Sequence, residues 1–145
     1  MSNIRIFVSH RIDIDSETVD TPVYFPVRCG AVYDEEGNSE IQGDDTGDNI
    51  SKLRMSFCEF TVQYWAWKNV DADYYGLCHY RRYLSFSDKR YKNTVFNMVR
   101  ELKLTPHEKK KYHLDDTKKI EKTVKQYDMI IPVVAKASEM SYNRA

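Results

Sequence analysis

This sequence predicts an α/β fold, a mainly parallel sheet flanked by helices, on three observations. Two short, almost continuously apolar runs, "IRIFVS" (residues 4–9) and "YYGLCH" (residues 74–79), have the length and β-rich composition of strands covered on both faces. Between them, "SFCEFTVQYWAWKN" (residues 56–69) is long enough for a helix and is apolar around most of its circumference. That pattern suits a helix packed on a sheet and under another layer. Strand, helix, strand is a βαβ unit, and further helix signals downstream precede a third β-rich run, "YDMIIPVV" (residues 127–134).

Taken in order, the first strand stops at His10-Arg11, and residues 13–21 are polar and read as a loop. In "PVYFPVRCGAVY" two prolines exclude most of the segment from a central strand, leaving residues 27–33 as a short one. "DEEGNSEIQGDDTGDNIS" (residues 34–51) is rich in Gly, Asp and Asn and has little to bury. It is expected to be an exposed loop, of a length that often carries function. On the helix, Ser56, Glu59 and Gln63 fall at i, i+3 and i+7 and form one narrow polar stripe. After the turn "NVDAD" the second strand runs into His79-Tyr80-Arg81-Arg82. Downstream, Thr105 as N-cap, Pro106 at the first helical position and Glu108 three after the cap mark a helix start. Asp115 or Asp116 caps a further helix, with Ile120, Val124 and Tyr127 along one face.

At 145 residues the chain is expected to be a single domain, and 41% hydrophobic with 30% charged residues fits a globular protein. No apolar run approaches the roughly 20 residues of a membrane-spanning helix. The N-terminus has six apolar-run residues and then charges, so no secretory signal is read there and a cytoplasmic location is expected. Cys29, Cys58 and Cys78 are odd in number and widely spaced, which argues for buried free thiols rather than a disulfide framework or a zinc pair. The net charge of zero conceals a division: residues 1–50 hold 11 acidic and 3 basic side chains, and residues 89–125 hold 12 basic and 5 acidic. The basic segment either forms solvated helical faces or approaches an anionic surface, giving peripheral membrane contact at about 1 kcal/mol per charge.

In an open α/β sheet, ligands bind beyond the carboxyl ends of the strands. Both long apolar runs end in cations, His10-Arg11 and His79-Tyr80-Arg81-Arg82. With strand alternation continued, His79 and Arg81 would face one side and Tyr80 and Arg82 the other. The planar donor fork of arginine matches a phosphate, so a diphosphate suits this crevice. The alternative for Arg81 and Arg82 is salt bridging to Asp44, Asp45 or Asp48, and for Glu59 a buried pairing with one of those arginines. "DDTGDNIS" lacks calcium-loop spacing, and a divalent-metal site built from Asp45 or Asp48 stays open as the weaker alternative. The absence of GxGxxG after the first strand, and of GxxxxGK[ST] and GxSxG throughout, disfavours dinucleotide dehydrogenases, P-loop enzymes and α/β-hydrolases.

At these residues the sequence resembles the bacterial glycosyltransferase-like proteins of capsular and exopolysaccharide gene clusters. The matching pieces are "IRIFVSHR", "PVRCGA", "DDTGDNIS", "CEFTVQYWAWKN", "YYGLCHYRRYL" and "YDMIIP", in that order. The resemblance implies a GT-A-like, Rossmann-related sheet that takes a nucleotide-sugar donor, a UDP-sugar, and a glycan or lipid-linked acceptor, in the cytoplasm or at the inner membrane face. In that fold the equivalent strand ends in Asp-x-Asp, whose divalent metal neutralises the donor diphosphate. Here the place reads His79-Tyr80-Arg81. The expectation is that His79, Arg81 and Arg82, with His10 and Arg11, supply that positive charge. Asp45, Asp48 and Asn49 would meet sugar or ribose hydroxyls, with Glu59 and Gln63 facing the site. No catalytic base is assigned. Family members continue beyond the "YDIIxP" strand, so residues 1–145 are expected to form a nucleotide-sugar-binding domain without the acceptor-binding part. Two other readings stand beside a transferase: a non-catalytic nucleotide-binding module of the same fold, and a nucleic-acid binder. The last would use Tyr80, Arg81, Arg82 and Tyr83 as a stacking surface, and the apolar approach to the motif disfavours it.

Overall fold

A computed structural model describes residues 2–37, 40–89, 91, 98–99 and 104–132. Four strands form one parallel sheet: β1 (Ile4–His10), β2 (Tyr24–Arg28), β3 (Gln42–Gly43) and β4 (Tyr74–His79), in the order β3-β2-β1-β4. A small antiparallel pair, β5 (Tyr83–Leu84) and β6 (Met98–Val99), follows. The helices are α1 (Arg54–Phe57), α2 (Phe60–Asn69), α3 (Pro106–Lys111) and α4 (Thr117–Val124).

The continuous apolar run of β1 has the predicted cause, since both faces of this central strand are covered. Ile4 and Val8 join one buried cluster with Tyr24, Tyr83, Tyr112, Leu114 and Ile120, on the face carrying α3 and α4. Phe7, one residue out of phase, joins Val27, Val62, Trp65 and Ala66 under α2. Val8, Val27 and Val62 are wholly buried. Removing each such side chain from water contributes roughly 1.5–3 kcal/mol. The downstream helices begin where expected. The Thr105 Oγ1 accepts from the Glu108 N–H (3.3 Å), and an Asp116 carboxylate oxygen accepts from the Lys119 N–H (2.9 Å).

The structure corrects the sequence reading at four places. The strand expected over residues 27–33 is Tyr24–Arg28 and includes Pro26. Alternation makes this tolerable: the Cys29 N–H bonds the His10 carbonyl on β1, so Pro26 faces the other side, where β3 starts only opposite Val27. Beyond Arg28 the chain turns through left-handed Gly30 (φ +70°) into a single 3₁₀ turn, Ala31–Tyr33. The helix expected over residues 56–69 is broken at Cys58, whose φ of 47° and ψ of −128° no helix contains. Ser56, Glu59 and Gln63 therefore do not form a continuous stripe. Among the described residues no further layer covers α2 either, for Phe60 and Trp67 are 61% and 63% exposed. Lys68 Nζ lies 3.9 Å from the centre of the Trp67 ring and partly shields it.

The third correction concerns the acidic loop. Asp44 is completely buried rather than exposed. The fourth is the "YDMIIPVV" run: residues 127–132 are exposed and not in a strand, and residues 133–134 lie outside the described residues. Tyr127, Met129 and Ile130 border an apolar cavity beside β4, at the edge of the parallel sheet, and Pro132 has no N–H with which to join a ladder. Cys29 is buried as expected, whereas Cys78 is half-buried and Cys58 exposed, and all three are free thiols.

Candidate functional site

β1 and β4 are parallel neighbours, with Ser9 opposite His79, so their carboxyl ends open together. A cavity of about 320 Å³ lies there, bordered by Ser9, His10, Arg11, Arg54, Glu59 and His79, with Cys29 and Cys58 behind them. A separate apolar cavity of about 250 Å³ beside Tyr24 and Leu77 is lined by no cation and lies along the flank of β4 instead.

The "HYRR" segment is not a strand continuation. His79 and Arg82 exchange both backbone hydrogen bonds (3.2 and 2.8 Å), which makes residues 79–82 a tight reversal with Tyr80 and Arg81 at its corner. The Tyr80 N–H is tied to the Ser9 carbonyl (3.1 Å), and the buried Tyr80 ring stacks on His10 at 6.1 Å and lies tilted against His79 at 4.3 Å. Strand alternation therefore does not divide the two arginines. Both are exposed, and Arg81 lies over the Tyr80 ring at 5.0 Å. Neither pairs with the acidic loop, as the salt-bridge alternative required, and Glu59 pairs with neither of them among the described residues.

Glu59 instead faces His79, with Oε1 3.6 Å from Nε2. His79 Nδ1 accepts the Arg81 N–H (3.3 Å), which puts the proton of the neutral ring on Nε2, toward that carboxylate. Burial holds the His79 pKa below the ordinary imidazole value against the pull of Glu59. The positive charges of Arg82, Arg81 and Arg11 push it the same way, so all three are felt at this ring. His10 differs. Its Nδ1 and Nε2 meet Ser16 Oγ (2.6 Å) and Thr18 Oγ1 (2.7 Å), and burial, helped by His79, lowers its pKa to about 4. A neutral ring with both nitrogens engaged is a structural pin for the 16–18 loop and has no free donor for a ligand. Arg11 reaches the cavity but is clasped by Asp13 through both ends of its guanidinium.

Asp45, Asp48 and Asn49 are not brought to this crevice, contrary to expectation. Asp48 accepts from the Tyr64 hydroxyl (3.1 Å), and its backbone N–H and carbonyl bond the Asn69 side chain (3.1 and 2.8 Å). Asn49 reaches back to the carbonyls of Asp45 and Gly47. This turn is thus tied to the C-terminal end of α2, whereas Glu59 precedes its first residue. Ten residues at 1.5 Å rise separate the two ends by about 15 Å. Gln63 is exposed and outside the cavity.

The carboxylate that does build the site is Asp44. One oxygen accepts from the Ala31 N–H (3.0 Å) and Ser51 Oγ (2.5 Å), the other from the Gly30 N–H (2.9 Å) and Thr61 Oγ1 (2.6 Å). Three segments, residues 30–31, Ser51 and Thr61, meet on one side chain. The Thr61 backbone N–H in turn bonds the Cys58 carbonyl (3.2 Å), which also receives the Cys29 thiol, so the strained residue before Glu59 is clamped from two sides. Reading the sequence missed Asp44 in this role, and it missed Arg54. Neither had a signal: one of three aspartates on a polar loop and one arginine in "SKLRMSF" carry no spacing that marks them. Among the described residues no group of three or more His, Cys, Asp and Glu side chains is placed to hold a metal ion. In the wall of the strand-end cavity the carboxylate is Glu59, and it is turned to His79.

Comparison with known proteins adds two findings. A family described as "Domain of unknown function (DUF4422)" matches residues 5–145. The apo structure of the bifunctional glycosyltransferase WbbM is similar at 34% identity and a TM-score of 0.65, over 77% of this chain and 20% of that one. The chain thus spans about one fifth of that protein's length. No curated protein matches. The mainly parallel sheet flanked by helices is accordingly a glycosyltransferase-like fold.

Proposed function

This chain belongs to the DUF4422 family, and from that premise we propose that it is the donor-binding domain, residues 1–145, of a bacterial glycosyltransferase of capsular or exopolysaccharide synthesis. The donor is a UDP-sugar and the acceptor a glycan or a lipid-linked glycan, at the cytoplasmic face of the inner membrane. One observation carries the reading. Arg81 and Arg82 stand on an exposed turn at the carboxyl ends of two adjacent parallel strands, next to His79 and a cavity of about 320 Å³. Arg11 is held by Asp13 and His79 faces Glu59, whereas Arg81 and Arg82 make no ion pair among the described residues and are matched by an anion.

In the reaction, the bond from the anomeric carbon to the β-phosphate oxygen breaks and a bond to the acceptor oxygen forms. The departing diphosphate gains negative charge, which fixed cations stabilise without reorganising. Arg81 and Arg82 serve this role from outside the cavity. His79 lines the cavity from within as a neutral ring, its Nε2–H held toward Glu59 and its Nδ1 fixing the Arg81 N–H, and so positions the turn that carries the two arginines. No step is routed through a metal: Glu59, the carboxylate in the cavity wall, is turned to His79, and among the described residues no three ligating side chains converge. The nucleic-acid reading loses its platform, because Tyr80 and Tyr83 are buried.

The test is thermal stabilisation by UDP and UDP-sugars, followed by transfer assays of a full-length enzyme in excess chelator. Stabilisation by UDP supports the donor site. No shift at millimolar UDP, or a strict requirement for added manganese or magnesium, would sink the respective half of the proposal.

A further inference from the structure

Arg54 stands in the wall of the same cavity and is not part of any motif that drew attention to the site. Its stem lies on Gly30. A Cβ added to Gly30 would sit 2.1 Å from Arg54 Cδ and 2.9 Å from Cγ, so no other residue leaves room for this side chain. Both walls of that groove are anchored on one carboxylate: Asp44 binds the Gly30 N–H, and it binds Ser51, which opens the turn leading into Arg54. The position is therefore built rather than incidental.

What the groove delivers is a half-buried arginine that, among the described residues, makes no hydrogen bond or ion pair. Gly30, on which its stem lies, follows the end of β2, whereas His79, Arg81 and Arg82 stand at the end of β4, on the other side of β1. A guanidinium carries five donors in a fixed fork, and one held in a cavity wall without an acceptor is matched by a ligand oxyanion. We propose that Arg54 is a phosphate-binding cation of this site, seated by Gly30 and contacting the diphosphate of the bound nucleotide from the wall opposite the His79-Arg82 turn. The inference rests on the donor-site reading above.

Isothermal titration of the whole chain with UDP, inorganic pyrophosphate and uridine tests it. Arg54→Gln keeps the aliphatic stem on Gly30 and removes the charge. It is expected to weaken UDP and pyrophosphate by tenfold or more, on the order of one charge-assisted contact, while leaving uridine binding and the melting temperature of the free protein unchanged. Gly30→Ala is expected to expel the stem and reproduce the phosphate loss if it folds, and Arg54→Gln decides the matter if it does not. Equal UDP affinity in the wild type and Arg54→Gln overturns the inference while leaving the donor site standing. Loss of uridine binding along with UDP also overturns it, since that marks a scaffold residue. Wild-type binding of pyrophosphate but not UDP, lost in Arg54→Gln, refutes the donor reading and upholds the cation. Binding of neither ligand by the wild type refutes both.

Discussion

Replacing Asp44 by alanine should be the most damaging single change in this half of the molecule. The carboxylate is wholly buried and takes four hydrogen bonds, two from backbone N–H groups and two from hydroxyls. The hydroxyls of Ser51 and Thr61 can rotate to other partners, but the Gly30 and Ala31 N–H groups cannot turn away from the hole. Two stranded buried donors at about 1–3 kcal/mol each, plus the lost cross-link, give a cost of about 4 kcal/mol. That is a large share of a typical total of about 5–15 kcal/mol. Asp44→Asn separates charge from shape. Whichever way the amide is turned, its NH₂ meets a backbone N–H, Gly30 or Ala31, so one donor pair clashes and a cost of about 2 kcal/mol is expected. Urea denaturation followed by circular dichroism measures both, and an unchanged slope with a lower midpoint identifies a loss of native stability. A cost below about 0.5 kcal/mol for Asp44→Asn would show that the four contacts do not form in solution and would remove the scaffold on which Arg54 and Glu59 stand.

Three further outcomes follow from particular contacts. Arg81→Ala and Arg82→Ala should each reduce the thermal stabilisation by UDP, and the double variant should nearly abolish it. A full shift in the double variant means that the anion sits elsewhere. Cys58→Gly should raise stability by about 1 kcal/mol, read as a melting temperature about 2–4 °C higher, because the exposed side chain loses no packing and glycine accepts φ 47°, ψ −128° freely. A lower melting temperature would mean that the thiol has a partner worth more than the strain. His10 has a folded pKa of about 4 against an ordinary 6.5. Its neutral form is favoured on folding, so stability is full above 6.5 and falls as pH drops from 6.5 toward 4, by about 3 kcal/mol at most. His10→Gln should flatten that limb in urea titrations between pH 7 and 4, and an unchanged acid limb rules His10 out as its cause.

How much of this was legible beforehand depends on whether the signal was local. The βαβ unit was readable because β1 must be apolar on both faces if both are covered, and a run such as "IRIFVS" has no other economical use. Thr105 and Asp116 were readable as caps because a cap is a contact across three residues. The break at Cys58 was not, since nothing in "SFCEFT" forbids a helix. What bends the chain is the pull of Asp44 on Thr61 and of Cys29 on the Cys58 carbonyl, both from segments more than ten residues away. Acidic residues divide the same way. Asp44, Asp45 and Asp48 look equivalent in a polar stretch, yet packing places the first at the centre of the scaffold and ties the last to the far end of α2.

The sequence by itself determined the parallel sheet, its helical cover and the delivery of His79, Arg81 and Arg82 to a strand end, because periodicity and capping act over a few residues. Only the tertiary structure decided which charges meet. It sealed His10 between two hydroxyls, moved Asp45, Asp48 and Asn49 away from the cavity and brought Arg54 in over Gly30. The reason is that a side chain's electrostatic surroundings are set by residues distant along the chain, and no local pattern encodes which of them arrive.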